Sequence, residues 1–135
     1  MAIRYILDTH ALIWHLEGND LLGSAAKRVI DDVKSDLILP IIALAEAMFI
    51  VEKGRSAIPR VHYLLNDVRN DKRINIYPLT AGILEECVSL TVVPEIHDRI
   101  IVATGVYLQK LGETVEIVTK DNEITTSAIL PICWS

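Results

Sequence analysis

The sequence predicts an α/β fold in which a five-stranded, mainly parallel sheet is covered by helices on both faces. Short apolar runs rich in Ile, Leu and Val alternate along the chain with segments whose apolar residues recur at helical spacing. Apolar residues dominate the short runs, which is typical of parallel strands buried on both faces. The 135-residue length is usual for one domain, and we expect residues 1–135 to form a single domain.

Five short apolar runs are the predicted strands, and polar or turn-forming residues flank most of them. In chain order they are Ile3–Leu7, Leu37–Leu39, Ile74–Tyr77, Val115–Val118 and Ile132–Trp134.

Six segments between these strands are predicted helices, because each places apolar side chains on one face. Thr9–Glu17 carries Leu12, Ile13 and Leu16, and the next helix is expected to start at a Ser24 cap and to bury Val29, Ile30 and Val33. The third is a nearly all-apolar helix at Ile41–Lys53 that Gly54 ends, and the fourth starts at Ser56 and Pro59 and places Val61, Leu64, Leu65 and Val68 on one face. The fifth is capped by Thr80 and carries Ile83, Leu84, Cys87 and Val88. The sixth, Asp98–Lys110, is expected to turn Ile101, Thr104, Tyr107 or Leu108, and Leu111 inward.

Composition narrows the class of protein. The apolar fraction of 51% fits a folded globule. No apolar run reaches the ~20 residues of a membrane helix, and the N-terminal residues do not resemble a signal peptide, so we expect no membrane association and a cytoplasmic location. Cys87 and Cys133 lie far apart and suggest neither a zinc site nor a disulfide framework.

The net charge of −5 is not that of a typical nucleic-acid-binding protein, but the charge is unevenly distributed. Residues 53–73 hold six basic side chains (Lys53, Arg55, Arg60, Arg69, Lys72 and Arg73) against Asp67 and Asp71. This segment either contacts a phosphate backbone or is an ordinary solvated surface.

Four acidic residues are the candidates for catalysis and metal binding. Asp8 and Asp121 follow predicted strands, Asp98 opens a predicted helix, and Glu46 interrupts an apolar helix. Functional groups gather at the carboxyl ends of parallel strands, so these acids can converge there. Carboxylates held together repel one another unless a cation neutralises them, and oxygen ligands suit Mg²⁺ or Mn²⁺.

Each acid also has a structural interpretation. Asp is a preferred helix N-cap, which would explain Asp8, Asp98 and Asp121 without any ligand. Glu46 is harder to explain, because its neighbours on the flanking turns are apolar and no Lys or Arg lies within one turn. We therefore expect a buried carboxylate that needs a cation or a proton.

Three further residues are candidate supporting groups. Thr9 and Thr119 could hold a carboxylate or a metal-bound water, although Thr9 could equally cap the first helix and Thr119 could be an ordinary strand residue. Arg99 could pair with Asp98 or with a bound phosphate.

Several of these residues lie in short sequence blocks whose order along the chain resembles that of a known protein family. Residues 7–14 (LDTHALIW), 45–47 (AEA), 97–104 (HDRIIVAT), 118–121 (VTKD) and the closing 132–134 (ICW) together resemble a PIN-domain protein of the VapC toxin type. The resemblance covers the chain from Ile3 to Trp134. Each block is weak by itself, whereas the ordered set is fairly specific.

The resemblance implies a small α/β/α sandwich whose acids, Asp8, Glu46, Asp98 and Asp121, bind Mg²⁺ or Mn²⁺. It also implies an endoribonuclease that cleaves RNA, is commonly a homodimer, and is silenced by a cognate antitoxin. Two departures bear on substrate contacts more than on the acids. Many relatives have Ser or Thr a turn before the helical Glu, and many have Asp-Pro before the Asp-Arg pair, where this chain has Glu95-Ile96-His97.

Other functions remain open at this point. The acids could form a docking site for a basic peptide in an inert PIN-like binding module. A phosphotransferase of the haloacid dehalogenase type is less favoured, because it needs an Asp where this chain has His10. A phosphate-accepting receiver domain is also less favoured, because its chemistry does not require an acid such as Glu46 within an apolar helix.

Overall fold

A computed structural model describes residues 2–135, so Met1, the first residue of the expected domain, lies outside the described residues. Five strands form one sheet in the order β3-β2-β1-β4-β5, and every neighbouring pair is parallel. The strands are β1 (Ile3–Leu7), β2 (Asp36–Pro40), β3 (Ile74–Tyr77), β4 (Thr114–Val118) and β5 (Ile132–Cys133). The predicted α/β fold with a five-stranded sheet is confirmed.

Helices cover both faces of the sheet. Successive residues of a strand point to opposite faces. Ile6 and Leu7 of β1, and Ile117 and Val118 of β4, are all fully buried, so neither face of these strands meets solvent. The helices are α1 (Thr9–Glu17), α2 (Ser24–Asp31), α3 (Ile41–Glu52), α4 (Val61–Asn70), α5 (Ala81–Cys87), α6 (Ile96–Lys110) and α7 (Asn122–Ser127).

The strand order places a switch in chain direction beside β1. The chain proceeds from β1 to β2 and β3 on one side, and returns to add β4 and β5 on the other. In open parallel sheets the crevice at such a point is the usual binding site. Leu7 pairs with Val118, so Asp8 and Thr119 leave the sheet side by side.

The second predicted helix differs at both ends. Gly23, not Ser24, is the N-cap residue of α2, and no side chain caps that end. Gly23 also lies against Trp134, where a Cβ would come within 2.2 Å of the carbonyl oxygen of Trp134. The helix ends at Asp31, which leaves Val33 80% exposed instead of buried.

Two other helices begin at positions that differ from the prediction, and some side chains predicted to be buried are exposed. The helix expected from Ser56 and Pro59 begins only at Val61, and the last predicted helix begins at Ile96, before Asp98. Three side chains expected inward are exposed instead, namely Leu84, Val88 and Leu111. The short α7 was not predicted, because its sequence NEITTS buries only Ile124.

The longest helix of the described chain, α6, has 15 residues. Within residues 2–135, no helix combines the length and apolar character needed to cross a membrane.

Candidate active site

A cleft of about 580 Å³ opens where β1 and β4 end, and all four acids expected from the sequence line it. Asp8 and Asp121 follow β1 and β4, Glu46 comes from α3, and Asp98 comes from the first turn of α6. Glu95, just before α6, is a fifth carboxylate on the same wall. The cleft thus gathers acids that are up to 113 positions apart in the chain, from Asp8 to Asp121.

Asp8 is fixed by two different hydrogen bonds. Its Oδ1 accepts from the backbone N–H of Ala11 at 2.9 Å, which makes it the N-cap of α1. Its Oδ2 accepts from the hydroxyl of Thr119. Burial raises the pKa of Asp8 above its usual value, and these two hydrogen bonds oppose that shift. The carboxylate therefore needs favourable partners to remain charged.

Thr119 joins the two acids that follow the strands. Its side chain is fully buried, and the hydroxyl that donates to Asp8 also accepts from the backbone N–H of Asp121 at 3.0 Å. Asp121 in turn caps α7, because its Oδ1 accepts from the N–H of Ile124 at 2.9 Å. Thr119 thus has the carboxylate-holding role that was one of its two sequence interpretations.

Glu46 reaches the cleft across the contact between α1 and α3. Its Oε1 accepts from the hydroxyl of Thr9 at 2.8 Å, and Oε2 lies 3.7 Å from Nδ1 of His97. The side chain is 31% exposed, so the expectation of a buried carboxylate is wrong. The apolar neighbour Phe49 is 57% exposed, which shows why an apolar sequence did not identify the buried face of α3.

Asp98 is a second acid of the cleft whose charged form is disfavoured. Its pKa is raised to about 7, first by burial and then by the negative charges of Asp121, Glu95, Glu46 and Asp8. It does not cap α6. The side chain of Glu95 does, accepting from the N–H of Asp98 at 2.7 Å.

Glu95 and His97 are site residues that sequence reasoning did not assign. Nδ1 of His97 lies 2.6 Å from Oε1 of Glu95, and this hydrogen bond raises the pKa of His97. Ligand atoms of Glu46, Glu95 and His97 all lie within 4.8 Å of one another. The sequence gives only a weak signal for Glu95, because Glu is not among the residues preferred at a helix N-cap.

Arg99 is held away from the acids. Its Nε donates to the carbonyl of Val93 at 2.7 Å, and Nη2 donates to the carbonyl of Pro94 at 3.3 Å. It is not among the cleft-lining residues. In the structure Arg99 therefore anchors the loop before α6 instead of pairing with Asp98.

The cleft also has an aromatic part on α1. His10 and Trp14 both line it, with ring centroids 5.4 Å apart. The ring of Trp14 also lies beside that of Trp134, with centroids 5.9 Å apart. Nζ of Lys120 lies 5.6 Å from the centroid of the Trp14 ring. Lys120 lines the cleft as well and is a cation close to the acids.

The basic segment between Lys53 and Arg73 is only partly available for a ligand. Arg73 pairs with Asp71 at 2.9 Å and also donates to backbone carbonyls of Ile30 and Asp32. Arg73 is thus structural, whereas Arg55 and Arg60 are exposed.

The donor set fits a hard divalent cation. Carboxylate oxygens are the ligands that Mg²⁺ and Mn²⁺ prefer, and the cleft offers five carboxylates. Burial is the largest cause of the raised pKa of Asp98, and the next causes are like charges that a cation would neutralise. The arrangement suits the binding of metal and of an anionic phosphate beside it.

Solved structures with a similar fold come from several bacteria. The structure of VapBC2 from Rickettsia felis, bound to a DNA fragment from its promoter, contains a chain with a TM-score of 0.72 and 13% identity, covering 98% of this chain and 100% of that one. A chain of a toxin–antitoxin complex from Klebsiella pneumoniae has a TM-score of 0.66 and 20% identity, and the match covers 96% of this chain and 95% of that one. A chain of FitAcB from Neisseria gonorrhoeae has a TM-score of 0.66 and 14% identity, and the match covers 97% of this chain and 96% of that one. At these identities the likeness is one of fold.

No curated protein matches the sequence. A family model does match it. The model describes the PIN domain, and it covers residues 5–128, which include the last three residues of β1, all of β2 to β4 and α1 to α7, and all of the acids in the cleft. The chain therefore belongs to the PIN-domain family.

Proposed function

We propose that this protein is a Mg²⁺- or Mn²⁺-dependent endoribonuclease that hydrolyses phosphodiester bonds in single-stranded or structured RNA. The observation that carries the proposal is the gathering of Asp8, Glu46, Asp98 and Asp121 in one open cleft. Membership of the PIN-domain family supports it independently. An acidic cleft would repel a phosphate backbone, so a nuclease of this design depends on bound cations.

The four acids would hold the metal, and the bound metal would lower the pKa of a water molecule and stabilise negative charge on the phosphate. The chain's own hydroxyls keep the acids in position. Thr119 fixes Asp8 while binding the backbone of Asp121, and Thr9 fixes one oxygen of Glu46. Each of these carboxylates keeps an orientation set by the fold, which lowers the reorganisation needed when the metal binds.

We further propose that the protein is the toxin of a toxin–antitoxin pair, acts in the cytoplasm, and forms a homodimer. The support is the fold likeness to a chain of a toxin–antitoxin complex from Klebsiella pneumoniae and to a chain of VapBC2 from Rickettsia felis. Exposed apolar side chains such as Phe49, Leu84 and Val88 offer surface for protein partners. A cognate antitoxin would silence the nuclease by binding this chain.

The test is cleavage of RNA by the purified chain. We expect cleavage that requires added Mg²⁺ or Mn²⁺ and is lost with EDTA. Asp8→Asn and Asp98→Asn should each lower kcat at least ~100-fold, because each removes a ligand charge but keeps the shape. Asp67→Asn, an exposed acid on α4, is the matched control and should retain activity.

Cleavage at the wild-type rate by the Asp8 and Asp98 variants would disprove the catalytic assignment. Binding of a basic partner peptide by a chain that cleaves no RNA with either metal would favour the alternative, an inert PIN-like binding module.

A further inference from the structure

Two aromatic side chains of α1, His10 and Trp14, line the same cleft as the acids. Trp14 is held in place by its neighbours, with the ring of Trp134 at 5.9 Å and that of His10 at 5.4 Å. Its own side chain is only half-buried. A large ring that is fixed on one side and open to a cleft on the other is preorganised for a flat apolar ligand.

The position of Trp14 relative to the acids suits a nucleotide strand. Trp14 follows Thr9 by five residues on α1, which corresponds to about 7.5 Å along the helix axis. Stacked bases of one strand are spaced by roughly 3.4 Å and an unstacked strand is more extended, so this distance spans at most about two nucleotide steps. A strand whose phosphate lies at Asp8 can therefore place a nearby base at Trp14.

Lys120 adds a charge of the sign that a phosphate needs. Its Nζ lies 5.6 Å from the centroid of the Trp14 ring, within the usual range of a cation–π contact. The side chain is exposed and lies directly before Asp121. Lys120 thus places a cation in the cleft beside both Trp14 and Asp121.

We propose that Trp14, with His10 beside it, is the stacking platform for a nucleobase next to the scissile phosphodiester, and that Lys120 binds the phosphate flanking that base. When the base occupies the Trp14 ring, the Lys120 ammonium leaves the ring for the phosphate. Single-stranded RNA is commonly recognised by unstacked bases that stack on aromatic side chains. The inference rests on the proposed nuclease function and names the residues that select a strand with accessible bases.

The competing explanation is that Trp14 only fills the core. Trp134 distinguishes the two, because it is the other tryptophan of the chain, contacts Trp14, and is absent from the cleft lining. A packing role predicts similar consequences for both residues. A stacking role predicts that only Trp14 affects RNA.

The experiment measures binding of an unstructured single-stranded RNA oligonucleotide in the presence of Mg²⁺, in an Asp98→Asn background so that the RNA stays intact. Trp14→Leu, which keeps apolar volume, should raise Kd by about 5- to 150-fold, the usual effect of losing one stacked base. Trp14→Phe should restore most of the affinity, and Trp134→Phe should leave Kd unchanged. In the Trp134→Phe protein the fluorescence of Trp14 should fall on RNA binding, and an abasic oligomer of equal length should leave it unchanged.

An equal Kd for Trp14→Leu and its parent, or an equal response to abasic and base-bearing oligomers, would overturn the stacking assignment. A Trp14 signal that responds to a partner peptide but not to RNA would overturn it as well, and would assign this wall to a protein. These results are separable from failure of the proposed function. If the wild-type chain cleaves RNA and Trp14→Leu binds and cleaves it equally well, only the stacking inference fails. If the wild-type chain neither binds nor cleaves RNA, the stacking inference and the proposed nuclease function both fail.

Discussion

Replacing Asp98 by Asn is expected to stabilise the metal-free protein while removing its function. Asp98 lies in a cleft with four other carboxylates, and its pKa is raised to about 7 from 3.8, with burial as the largest cause and the neighbouring negative charges next. Above about pH 7 the folded protein carries a charge that its surroundings disfavour. Asn has nearly the same shape and no charge, so the substitution removes that cost.

The size of the effect follows from the pKa. A rise from 3.8 to about 7 would correspond to about 4 kcal/mol if none of it were screened. Because the side chain is partly exposed, solvent screening reduces this, and we expect a gain of about 1–2 kcal/mol in the free energy of unfolding. For a chain of this length the melting temperature should rise by roughly 3–5 °C for each kcal/mol.

The pH dependence has a definite sign. The folded state binds the Asp98 proton more tightly than the unfolded state does, so stability is lost as pH rises from 3.8 towards about 7. The advantage of Asp98→Asn over the wild type should therefore be small near pH 4 and complete above about pH 7. Added Mg²⁺ should reverse the order, since it stabilises the wild type by binding only the folded state.

Urea denaturation in EDTA, at about pH 8 and about pH 4, tests this reasoning. Asp67→Asn, which also removes one negative charge, should change stability by less than about 0.5 kcal/mol. If Asp98→Asn is less stable than the wild type at the higher pH, or if its advantage is the same at both pH values, the raised pKa of Asp98 does not control the stability of the metal-free protein.

Three substitutions test other contacts. Thr119→Val removes the hydroxyl between Asp8 and the backbone of Asp121, and should cost about 1–3 kcal/mol in urea denaturation and lower kcat for RNA by about 10- to 100-fold. Gly23→Ala would place a Cβ 2.2 Å from the carbonyl oxygen of Trp134, and we expect a loss of about 1–3 kcal/mol by the same assay. Arg99→Met loses two hydrogen bonds to loop carbonyls, so it should lower the melting temperature without changing the Kd for RNA, measured by fluorescence anisotropy.

The strands were predictable because apolar residues dominate each short run, a pattern that the local sequence is enough to identify. The positions at which helices begin and end were harder to predict from the sequence. Val33 continues the apolar spacing of α2, yet the helix ends at Asp31, because spacing does not report where a backbone stops being helical. Helix α7 escaped prediction because one buried residue, Ile124, gives no periodic pattern.

For the candidate site, the sequence indicated the four acids that line the cleft and the hydroxyls of Thr9 and Thr119, but not which acid each hydroxyl contacts. Asp8 was placed by its strand, since the carboxyl ends of parallel strands share an edge. The partners of Glu46 depend on how α1, α3 and α6 pack, which brings Thr9 and His97 to it from 37 and 51 positions away. Contacts of that range are set by tertiary structure and leave no local signal.

The capping and metal-binding interpretations of the aspartates turn out to be compatible. A capping carboxylate accepts one backbone hydrogen bond through a single oxygen, as Oδ1 of Asp8 and Oδ1 of Asp121 both do. Each carboxylate oxygen has more than one lone pair, so a capping carboxylate keeps capacity for a cation. Because α1 and α7 each start within four residues of the end of a strand, their caps lie at the carboxyl edge of the sheet. Helix capping thus orients these two carboxylates in the cleft, and folding and metal binding can use the same residues.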